Sequence, residues 1–190
     1  NGSTAEGWGI VQYTDNGSTN GHWYFVKGHK TLDTPLLGQE RDNWCWAASA
    51  LMAAKTGGTS TKTQSQIVEH IKRSVVDKTA TSDEIRQAAN FASGTTDYYV
   101  TYSELTEEQL VTEINAGRPV IVVRAWYDSL GYLAGAHATV VYGYQLSGSG
   151  LVFKIHDPLP KNEGSSYNWT YSNIVHGTDS GYWKETIRRH

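Results

Sequence analysis

Residues 38–54 read GQERDNWCWAASALMAA, from Gly38 to Ala54, and they hold the only cysteine of the 190-residue chain, Cys45, set between Trp44 and Trp46. From Asn43 onward the residues are small or good helix formers. The next breaker is Gly57-Gly58, so the spacing predicts a helix of about four turns. Its interior is nearly all Ala, Leu and Met, which predicts burial on all sides. Asp42 or Asn43 is placed to cap this helix, which puts Cys45 in the first turn. There the helix dipole and free N–H groups favour a thiolate, the form in which a thiol attacks carbonyls. A free cysteine is otherwise a small core residue, so a catalytic role depends on partners supplied elsewhere in the chain.

Composition removes several classes. One cysteine can form no intramolecular disulfide and fits no cysteine-rich zinc pattern. The net charge is −3, and the sixteen basic residues are scattered rather than gathered in a stripe, so no nucleic-acid partner is expected. No window approaches the ~18 apolar residues of a membrane span, and no membrane partner is expected either. The seven histidines lack His-x₃-His or Glu-paired helical spacing. Neither a metal nor a cofactor is therefore expected. The start NGSTAEGWG is not a signal peptide and carries no initiator Met, which reads as a trimmed or mature chain.

The pattern along the chain is α+β. Residues 1–35 form an N-terminal extension, read as a β-hairpin in which DNGSTNG supplies the turn before HWYFV. Residues 36–190 form the main unit, and the whole is short enough to be one compact body. After the Cys45 helix come helical segments from Gln64 to Ser74 and from Ser82, as N-cap, to Phe91. YYVTY at 98–102 reads as a strand, and TEEQLVTEINAG as a helix capped by Thr106 and stopped by Gly117. RPVIVVRAW, AHATVVYGYQ, LVFKIHD and GYWKETI are then four strand candidates. A helical half thus precedes a mostly antiparallel sheet half.

Among the histidines, His137 stands out: it enters a strand in GAHATVVYGY, flanked by small residues that leave its ring approachable. In LVFKIHDP, alternation puts Asp157 on the face of Leu151, Phe153 and Ile155, where a carboxylate needs a partner. Gln39, six residues before Cys45, carries an amide that could serve an oxyanion.

Gln39, followed by Cys45-Trp46-Ala47 and Ser49, resembles the papain-like cysteine peptidase signature. His137-Ala138 running into VVYGY resembles that family's histidine strand, and Asp157 falls where papain has Asn. The order and spacing are similar from Gly38 to Pro158 and lie closest to compact bacterial branches, the bacteriocin-processing peptidases and the secreted effector proteases of plant pathogens. The resemblance implies a papain-like fold and an endopeptidase acting on protein or peptide substrates. Cys45 would be the nucleophile, His137 its ion-pair partner, Asp157 the orienting group, and Gln39 with the Cys45 N–H the oxyanion site. Trp44, Trp46 and Ala136 would face substrate, with Trp44 narrowing the approach, since papain has a small residue there. Papain's Asn-Ser-Trp run is missing, leaving Trp169 or Trp183 to shield the histidine. The resemblance also implies a monomer secreted by a bacterium, with a virulence role. The same scaffold serves deamidases, transglutaminase-like enzymes, peptide ligases and inactive binding modules.

Overall fold

The computed structural model describes residues 8–12, 23–58, 60–148, 150–177 and 181–190. Strand β1 (Trp8–Gln12) pairs antiparallel with β2 (Trp23–Lys27), Ile10 opposite Phe25. The turn expected between them lies outside the described residues. After β3 (His29–Thr31) come three helices, α1 (Cys45–Lys55), α2 (Gln64–Lys72) and α3 (Ser82–Ser93). The chain continues through β4 (Tyr98–Thr101), α4 (Glu107–Asn115), β5 (Val120–Tyr127), β6 (Leu133–Ser147) and β7 (Gly150–Asp157). It ends with β8 (Ser165–Thr170), α5 (Tyr171–His176) and β9 (Tyr182–Arg189).

Strands β3 to β9 form one sheet in the order β4-β9-β5-β6-β7-β8, with β3 paired to β6, and every pairing is antiparallel. β5 reads VIVVRAWY without the apolar–polar alternation of a one-sided strand because both of its faces are covered. Ile121 and Val123 join the core built on α1, α2 and α3, while Val120 and Val122 join a second core with α4 and α5. The helical half expected from the sequence is therefore only one of two helical layers.

Helix starts follow local hydrogen-bonding chemistry. Thr63, Thr81 and Thr106 each accept the N–H of the third helical residue, which returns a side-chain bond to the cap N–H. Thr81 thus caps α3 in place of the expected Ser82, because Glu84 stands at the right spacing for a reciprocal pair. α1 is different. Trp44 occupies its N-cap with no side-chain bond to the helix. Asp42 and Asn43 do not cap it: the Asp42 carboxylate turns out to Lys161 Nζ at 2.7 Å, and the Asn43 N–H is engaged by Asp77 Oδ1 at 2.8 Å.

Two attachments place α1. Within it, Ala47, Ala48, Ala50 and Met52 are wholly buried, and the Ser49 hydroxyl donates to the carbonyl of Ala138 in β6 at 3.0 Å. Upstream, the Gln39 N–H donates to Pro158 O and the Asn162 N–H donates to Gln39 O, both at 2.9 Å. This stitch holds the approach to α1 against the loop that leaves β7. It needs glycine at residue 38, where a Cβ would stand 2.3 Å from Glu163 N and 2.5 Å from Asn162 C. Gly38→Ala must therefore push backbone from backbone, at a cost of about 2 kcal/mol. A melting temperature about 4–8 °C below wild type is expected; differential scanning calorimetry checks it, and an unchanged value would contradict the stitch.

Candidate active site

Cys45 is the first residue of α1 and is partly exposed. Because no side chain caps the helix, the N–H groups of its first turn are not taken by a cap. His137 stands on β6 opposite Arg124 of β5, one residue before the carbonyl that Ser49 holds. The same contact that seats the helix therefore sets the height of the imidazole beside the thiol.

The imidazole is held from both sides. Nε2 bonds Asp157 Oδ1 at 2.7 Å, which leaves Nδ1 for the hydrogen bond to Cys45. Burial disfavours a charged ring, but the hydrogen bond to Asp157 comes next in weight, followed by the bond to Cys45 and the charges of both groups. Together these raise the His137 pKa from 6.5 to about 10. For Asp157, burial opposes ionisation and is outweighed by the bond and charge of His137, the Leu159 N–H and the Tyr167 hydroxyl, so its pKa is lowered. The distances are 2.8 Å from Leu159 N to Oδ1 and 3.1 Å from Tyr167 Oη to Oδ2. A thiol beside an imidazolium is the arrangement for a thiolate nucleophile with a proton donor at hand.

Gln39 is buried, and its Nε2 donates to Arg41 O at 2.9 Å and Asp42 O at 2.7 Å. Its amide braces the loop that leads into Cys45. Beside Cys45 and His137 opens a groove of about 200 Å³, walled by Trp46, Ile85, Val123, Leu133, Ala136 and Ala138 among others. Trp46 and Ala136 are thus among the residues that line it. Trp44 does not: it is 1% exposed, and its indole N–H donates to Val76 O at 2.8 Å. A large indole that can reach a carbonyl in the core is more stable there than in the groove, so the approach to the thiol is not narrowed by Trp44.

Trp183 lies in the second core, while Trp169 packs beside Tyr167 at 4.8 Å and over the Arg124 guanidinium at 5.0 Å. Tyr167 was missed from the sequence because it falls after Pro160. The signal available was alternation: SSYNWT puts Ser165, Tyr167 and Trp169 on one face of β8. His156, next to Asp157, faces away from the site. It is bonded to Ser166 Oγ at 2.7 Å and Thr34 O at 3.0 Å and stacked on Tyr142, and burial lowers its pKa. Among the described residues no group of three or more His, Cys, Asp or Glu could hold a metal ion, and no helix is long and apolar enough to cross a membrane.

A thiol carried by a helix and an imidazole carried by a sheet, meeting across a groove, define a papain-like cysteine peptidase. The family model described as "Papain-like cysteine protease AvrRpt2" matches residues 28–173, and the chain belongs to that family. It is a cysteine peptidase, and its substrate is protein. The match reaches beyond the motifs recognised from sequence and includes Tyr167. No curated protein matches the sequence. Solved structures with the same fold include xylellain, a cysteine protease from Xylella fastidiosa, at 11% identity and a TM-score of 0.56, covering 85% of each chain. Digestive procathepsin L 3 of Tenebrio molitor larval midgut is similar at 13% identity and a TM-score of 0.53, covering 86% of this chain and 70% of that one.

The raised pKa of His137 has a signed consequence for stability. The folded protein keeps a proton that the unfolded chain releases, so this contribution is full below pH 6.5 and is lost as pH rises towards about 10. Urea denaturation should show wild type losing more stability than His137→Gln between pH 6.5 and 10. Parallel curves would contradict the pair.

Proposed function

We propose that the chain is an endopeptidase working through a Cys45–His137–Asp157 triad. The observation that carries this reading is the imidazole bonded on one side to Asp157 at 2.7 Å and on the other to the only cysteine. The Cys45 thiolate attacks the peptide carbonyl carbon, forming a C–S bond and placing charge on the oxygen. The His137 Nδ1–H then protonates the leaving amine as the C–N bond breaks. Water, deprotonated by the now neutral imidazole, attacks the thioester carbonyl; the C–S bond breaks, the acid is released, and the thiolate–imidazolium pair is restored. Asp157 holds the ring in the orientation that keeps Nδ1 on the sulfur.

For the oxyanion, the Cys45 backbone N–H is the donor at the helix start. Gln39 joins it as the second donor by exchanging its bond to Asp42 O for one to the substrate oxygen. An apolar substrate side chain fits the groove walled by Val123, Leu133, Ala136 and Trp46. The resemblance to secreted effector proteases of plant pathogens supports an exported bacterial protein whose substrate belongs to a host. We also assign the chain a monomeric working form and treat residues 1–35 as an extension of the catalytic unit, which begins near residue 36.

Cys45→Ala is expected to abolish both peptide hydrolysis and iodoacetamide labelling while the circular dichroism spectrum is kept. Mass spectrometry of a proteome-derived peptide library separates hydrolysis, which adds water across a cut bond, from deamidation, which leaves the chain whole, and from peptide transfer, which joins the cut acyl fragment to a new amine. Full cleavage by the alanine variant would overturn the assignment of Cys45; modified but uncut peptides would overturn the endopeptidase reading.

A further inference from the structure

The third member of the site is itself held by a residue that the peptidase reading does not require. Asp157 ends β7, and Oδ1 takes two donors, His137 Nε2 and the Leu159 N–H. Oδ2 takes the hydroxyl of Tyr167 at 3.1 Å. Tyr167 stands on β8 opposite Ile155, and alternation along β7 puts Ile155 on the same face as Asp157. The tyrosine ring is therefore a diagonal neighbour of the carboxylate, within reach of its outer oxygen.

The ring is not free to swing. It is half-buried against the second core and lies 4.8 Å from the Trp169 ring, which in turn covers the Arg124 guanidinium at 5.0 Å. Arg124 is gripped from its other neighbour, Trp126, at 5.2 Å, and donates to Gly181 O at 2.9 Å. Because Arg124 is also the cross-strand partner of His137, this stack connects β8 to the strand that bears the imidazole.

We infer that Tyr167 is a positioning residue for the peptidase reaction: its hydroxyl fixes the second oxygen of Asp157 so that the first stays on His137 Nε2. This rests on the triad reading. A carboxylate bonded through one oxygen alone can rotate about its Cβ–Cγ bond and loosen the imidazole. With Tyr167 donating to Oδ2 and two donors on Oδ1, both oxygens are fixed and rotation breaks three bonds together. The phenol's bond is stronger to the ionised carboxylate than to the protonated acid, so it helps lower the Asp157 pKa and extends to lower pH the range in which the site keeps its negative anchor.

The test is Tyr167→Phe, which removes one oxygen and keeps the ring. Two readouts are used: kcat and KM on a peptide taken from the library cleavage profile, and the pH dependence of Cys45 alkylation by iodoacetamide, which needs no substrate. The expected result is a kcat lower by about tenfold, the loss of one charge-assisted bond, with KM unchanged. The acid limb of alkylation should move up by about half a pH unit, and melting should fall by no more than about 4 °C, far too little to unfold the protein under assay conditions. In an Asp157→Asn background the same substitution should leave kcat where it was, since Tyr167 acts only through the carboxylate. The inference is overturned if Tyr167→Phe matches wild type while Tyr167→Ala is impaired, which would make the ring's packing the cause. It is equally overturned by an additive loss in the Asp157→Asn background. An inert thiol in the wild-type chain would instead reject the triad itself.

Discussion

A helix can bring its first residue against an imidazole on a neighbouring strand only if nothing large stands between their axes. α1 meets that constraint with Ala47, Ala48, Ser49 and Ala50 in succession, all fully buried. Such a seam provides little specific grip, because methyl groups pack in many registers. Ser49 supplies the grip: its hydroxyl on the Ala138 carbonyl locks α1 to β6 one residue from His137. Every other distance in the site inherits that register. Even the strand faces follow from it, since Ala138 and Val140 pack into the core that α1 builds.

From that point the site is an ordered series of charge-assisted bonds running along the sheet. It passes from the helix start through His137 to Asp157 and ends at Leu159 and Tyr167. Each group is buried enough to make a bare charge costly, and each is supplied with a neighbour of complementary character. The neighbouring His156 shows the opposite solution within one residue. Donating to a carbonyl and accepting from a hydroxyl, it is kept neutral, so that the strand end carries a single charged site rather than two competing ones.

Much of the fold was legible in the sequence because the patterns involved are local. The small residues after Cys45, the capping spacing at Thr106, and the β-branched runs of β5 and β6 each announce one element, whereas the reciprocal pair of Thr81 with Glu84 was passed over for Ser82. The alternation in LVFKIHD correctly put Leu151, Phe153 and Ile155 inward, with all three now in the second core. What could not be read was non-local. Trp44 turned inward because a carbonyl at Val76 was available to its indole, and Asp42 left the helix start because Lys161 came within reach. Neither partner is near in sequence. β8 was missed since SSYNWT has few β-branched or apolar residues, and with it went Tyr167 and the β8 edge of the sheet.

The seam between α1 and β6 joins residues 89 positions apart in the chain. Contacts of such separation close late in folding, after local helices and hairpins have formed. Until they close, Cys45 has no imidazole beside it and is an ordinary thiol on a short, marginal helix. A chain in which β6 has not yet reached α1 therefore lacks the thiol–imidazole pair that the proposed mechanism requires.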